Sequence, residues 1–173
     1  SSDLLQYPWH GATALATTVT WGVTQLMITA ALLVFARSNA TGSSRSGQIG
    51  ARLAVAGSVL FTLGHAGTLL AADATVDDPS AVMVMALFGL GTLLVGAGFL
   101  LAGTATARAG WWSGWRRQAP LVVGIATVAL IPLQFTPLLP VVVAVYSLTV
   151  VALGVAMLQE TGGEPDPVAR PTR

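Results

Sequence analysis

Five apolar stretches account for most of this chain, each close to the roughly 20 residues that a helix rising about 1.5 Å per residue needs to cross a hydrocarbon core. The eight basic and seven acidic side chains fall between these stretches or at their ends. A chain patterned in this way folds in lipid, where every backbone polar group must be satisfied within its own segment. The alternating ten-residue pattern of an outer-membrane barrel is absent, so the expected fold is all-α: a polytopic integral membrane helical bundle.

We place the transmembrane helices at Gly11–Ala36, Gly50–Ala72, Ala81–Thr106, Gln118–Phe135 and Leu138–Gln159. Residues 1–159 are read as one helical-bundle domain, and 160–173, rich in charge, Gly and Pro, as a disordered tail. Ser38–Gly47 reads as a flexible polar connector. Pro132, Pro137 and Pro140 bracket the fourth connector and predict a tight hairpin there.

Charge sets the expected orientation. The first connector region carries Arg37, Arg45 and Arg52 without an acid, the second Asp73, Asp77 and Asp78 without a base, and the third Arg108, Arg116 and Arg117. Arginines are retained on the cytoplasmic side, which puts the N-terminus outside and the C-terminal tail inside. A start on Ser, already outside, leads us to expect a preceding segment, with a sixth helix favoured over a removed signal. Tyr7 and Trp9 then anchor the outer interface, and Trp111, Trp112 and Trp115 the inner one. The Arg-rich, Lys-free composition, with abundant Ala, Gly and Val, suggests a bacterial plasma membrane.

Composition also narrows function. Charged residues are 9% of the chain and net charge is +1, which argues against nucleic acid as a partner. The lack of cysteine excludes disulfides, thiolate metal sites and thiol catalysis. No Ser/His/Asp set at matched depth, metalloprotease motif or phosphate loop is present, so no enzymatic activity is expected. The spans lack membrane-depth carboxylates and amines, which disfavours an ion-coupled carrier.

Helix association in lipid relies on small residues and interhelical hydrogen bonds. Gly50, Ala54, Ser58 and Thr62 recur every four residues on the second span. Gly89, Gly96 and Gly103, with Thr92, share a side of the third, and Gly91 and Gly98 widen its small surface. We expect these two faces to meet each other or a partner. On the first span, Thr13, Thr17, Thr20 and Thr24, with Gln25 adjacent, form a polar seam.

These features support three readings. The first is an accessory, scaffold or oligomer-forming subunit whose partners are the bilayer and a second copy or another membrane protein. The second is a bundle that transports or binds a small solute or lipid-like ligand through Thr13, Thr17, Thr20, Thr24, Gln25 and His65. The third uses His10 and His65, the two histidines, as axial haem or metal ligands in an electron-transfer subunit. Under the first reading no cofactor is expected.

Overall fold

The apolar runs form helices because, in lipid, a helix alone satisfies its own backbone without a neighbouring strand. The computed structural model describes residues 12–71, 74–75, 77–133 and 136–161. Its long helices are α1 (Ala12–Arg37), α2 (Arg45–Leu70), α3 (Pro79–Ala109), α4 (Ala119–Leu133) and α5 (Leu139–Thr161). All five crossing segments are long and apolar enough to span a membrane, the fourth with the 3₁₀ turn Gly114–Gln118 that leads into α4.

Local chemistry sets the helix ends. α2 begins five residues before the expected Gly50 because Ser44, in extended backbone, accepts a 3.3 Å hydrogen bond from the Gly47 amide. That cap carries the helix into a stretch whose polarity had suggested a flexible connector. The connector is in fact compact: a 3₁₀ turn covers Asn39–Thr41, Ala40 and Thr41 are buried, and Gly42 supplies a positive φ. α3 starts with Pro79, whose missing N–H costs nothing in a first turn, and stops at left-handed Gly110. Asp78 accepts from the Thr75 amide at 2.6 Å and the Thr75 hydroxyl at 3.1 Å, which ties down the turn before α3. Pro132 is tolerated inside the end of α4, and the α4–α5 hairpin closes with Thr136 donating to the Leu133 carbonyl at 2.7 Å.

Each helix packs antiparallel on the next, with α3 between α2 and α4. One face of α3 meets α2 so closely that a Cβ on Gly98 would lie 2.5 Å from the Ala54 nitrogen, and one on Gly50 2.6 Å from the Gly98 carbonyl oxygen. Gly57 and Gly91 repeat the approach nearer the other end. The opposite face of α3 meets α4: Gly96 faces Val128 and Thr127, Gly103 lies against the Leu121 backbone, and Gly124 of α4 lies against Phe99 and Leu100. The expected α3 stripe is therefore divided. Gly96 and Gly103 serve α4, Gly91 and Gly98 serve α2, and Gly89 faces open space.

The core gathers at the end that carries Arg37, Arg45, Arg108, Arg116 and Arg117, here called the Arg-bearing end. Leu32 and Phe35 of α1, Phe99 of α3, Val123 of α4, and Leu153 and Ala156 of α5 are buried together there with Trp112. Trp112, expected as an interfacial anchor, is 2% exposed and meets Phe35 edge-on at 6.2 Å. Trp111 and Trp115 remain exposed, as anchors at headgroup level should.

Candidate functional site

Gln25 sits midway along α1, deep in the span, where an amide must find a partner. Its Nε2 donates to the Ser58 hydroxyl at 2.8 Å, and Ser58 is fully buried. One turn further on, Thr29 lies 2.7 Å from the same hydroxyl and 3.4 Å from the Thr62 hydroxyl. Thr62 donates back to the Ser58 carbonyl at 3.1 Å, and Thr29 to the Gln25 carbonyl at 2.9 Å. Four side chains thus form one connected polar seam that fastens α1 to α2. The Ser58 hydroxyl, on the small-residue face of α2, is engaged by α1.

The threonine stripe does not join this seam. Thr17, Thr20 and Thr24 are exposed on the outward side of α1. Thr20 donates to the Ala16 carbonyl and Thr24 to the Thr20 carbonyl, each at 2.8 Å. The side chain of Thr13 lies outside the described residues, as do Tyr7, Trp9, His10 and the tail beyond Thr161. Thr29 was missed in the sequence, although its place four residues after Gln25 was the available signal.

Toward the opposite end, His65 is half-buried about 7.5 Å below the end of α2, five residues before Leu70 at 1.5 Å each. The Trp21 ring stacks on it in an offset manner, 6.5 Å between centroids and 14° between planes. Phe88 of α3 presents an edge at 5.0 Å and 71°. Among the described residues the imidazole nitrogens have no hydrogen-bond partner. Trp21 is 48% exposed, so this cluster opens sideways toward lipid. The seam supplies neutral donors and acceptors, and His65, three residues past Thr62 on α2, is a titratable group on the same helix. Among the described residues no group of three or more His, Cys, Asp or Glu could hold a metal ion.

Fold and seam together define an all-α, multi-pass membrane bundle. No known protein family, curated protein or solved structure matches the chain.

Proposed function

We propose that this protein is a non-catalytic subunit of a membrane assembly that docks other membrane helices on the outward face of α1. The observation that supports it is the position of Thr17, Thr20 and Thr24 on one of the two least buried helices. Only 11% of the crossing windows of α1 and α5 is buried, against 28–33% in the other three. The hydroxyl protons of Thr20 and Thr24 are committed to their own helix, which leaves oxygen lone pairs outward as acceptors. Such groups serve helix contacts better than hydrocarbon. Apart from Gly89, the glycines of the α2 and α3 small-residue faces pack inside the bundle, which leaves α1 for that role. The arginines support an orientation with the Arg-bearing end in the cytoplasm of a bacterial cell.

A second reading rests on His65. Its nitrogens, unpaired among the described residues and set between Trp21 and Phe88, suit a lipid-like ligand with a hydrogen-bonding head. The haem reading would need His10 to approach the same imidazole.

A native mass spectrum of protein extracted gently from its own membrane distinguishes these readings. We expect a symmetric oligomer or a discrete partner for the wild type, and a bare monomer for the Thr17→Leu, Thr20→Leu, Thr24→Leu variant. A monomeric wild type contradicts the subunit reading. Small-molecule mass lost on His65→Leu supports the second reading, and a Soret band on the same sample supports haem.

A further inference from the structure

We infer that the Arg-bearing end is a binding surface for anionic phospholipid, with Arg45, Arg52, Arg116 and Arg117 as the guanidinium donors. The arginines at this end fall into two groups by their place on the helices. Arg37 lies in the last turn of α1 and Arg108 in the last turn of α3, where a positive charge offsets the partial negative charge of unpaired carbonyls. Those two are accounted for within the fold. Arg45 is the first residue of α2, at the partly positive end of that helix, and Arg116 and Arg117 lie in the 3₁₀ turn that leads into α4, where the Ala119 amide donates to the Arg116 carbonyl. Neither α2 nor α4 has an acid in its first turn.

These charges also lack partners close in sequence, because residues 37–52 and 104–118 contain no Asp or Glu. Arg45, Arg52 and Arg117 are exposed, and Arg116 spends one donor on the Ser113 hydroxyl at 3.1 Å. Arg52 lies two turns inside α2 and can extend its long stem toward the headgroups. At the same end the buried Trp112 indole N–H is a donor with no hydrogen-bond partner among the described residues. Exposed Trp111 and Trp115 mark the headgroup level. A phosphodiester held at that level by its own acyl chains fits this arrangement better than a free anion, since planar guanidinium forks match phosphate oxygens.

The test places the full chain in nanodiscs of equal phosphatidylglycerol and phosphatidylcholine and identifies co-retained lipid by native mass spectrometry. The wild type should keep phosphatidylglycerol selectively, and selectivity should fall about fivefold for each of the four arginines changed to Gln. The pairs Arg45→Gln with Arg52→Gln, and Arg116→Gln with Arg117→Gln, keep the test open if the fourfold variant fails to fold. Arg37→Gln with Arg108→Gln should leave selectivity nearly intact. Equal retention of both lipids, or selectivity indifferent to the four arginines, overturns the inference. So does displacement by millimolar inorganic phosphate, which would indicate a free-anion site. Selectivity that emerges only after Glu160→Gln, Glu164→Gln and Asp166→Asn would also overturn it, by making the tail the occupant.

Discussion

Gly98 and Gly89 are the same residue on the same helix, yet they have opposite surroundings. A methyl group on Gly98 would strike the α2 backbone at Ala54 and Gly50, neither of which can rotate away, whereas one on Gly89 meets nothing within 4 Å. Gly98→Ala should therefore cost about 1–3 kcal/mol by overpacking. Gly89→Ala should be neutral or gain a few tenths of a kcal/mol, because alanine restricts the unfolded chain. Thermal unfolding in one detergent compares the pair, and equal losses would contradict the packing. Sequence alone marked both positions as small. It could not tell them apart, because which side of a glycine-rich helix meets backbone depends on how the neighbour is rotated. Trp112 shows the same limit: beside two arginines and two other tryptophans it reads as an anchor, and only the arrival of Phe35 over it makes it core.

At the scale of elements, the five spans were legible because an apolar run of crossing length has few other uses. Their ends were legible to within a few residues, except at α2, where the Ser44 cap outweighed a polar first turn. The rotation of α1 was not legible. That helix is apolar nearly all round, so neither Thr13, Thr17, Thr20 and Thr24 nor Gln25 with Thr29 dictates which stripe turns inward. The hydroxyl of Ser58 selected the second stripe. This account predicts a measurable coupling between helices: in a double-mutant cycle, Gln25→Leu and Ser58→Ala should interact by about 0.6 kcal/mol, the usual scale for hydrogen bonds between membrane helices. Additive losses would mean that the seam does not hold α1 to α2. Thr20→Val, on the other face, should show no coupling to Ser58→Ala.

For the whole molecule, the packed centre is α2, α3 and α4, joined by backbone contacts at Gly50, Gly57, Gly98, Gly103 and Gly124. α1 and α5 flank that centre and leave most of their surface outward. Apolar surface of this kind is at home in lipid, but the threonine stripe on α1 marks a face suited to another helix. The absence of cysteine makes the stripe directly accessible to experiment, since any introduced thiol is the only one present. The most direct measurement is photo-cross-linking in native membranes, with a benzophenone tethered to a single cysteine at Thr20 or Thr24, and at Met83, which is exposed on α3, as the control. The account predicts one discrete protein product from Thr20 and Thr24, a second copy or a single partner, and only lipid adducts from Met83. Lipid adducts alone from all three positions would contradict the assembly role and leave α1 as an ordinary lipid-facing helix.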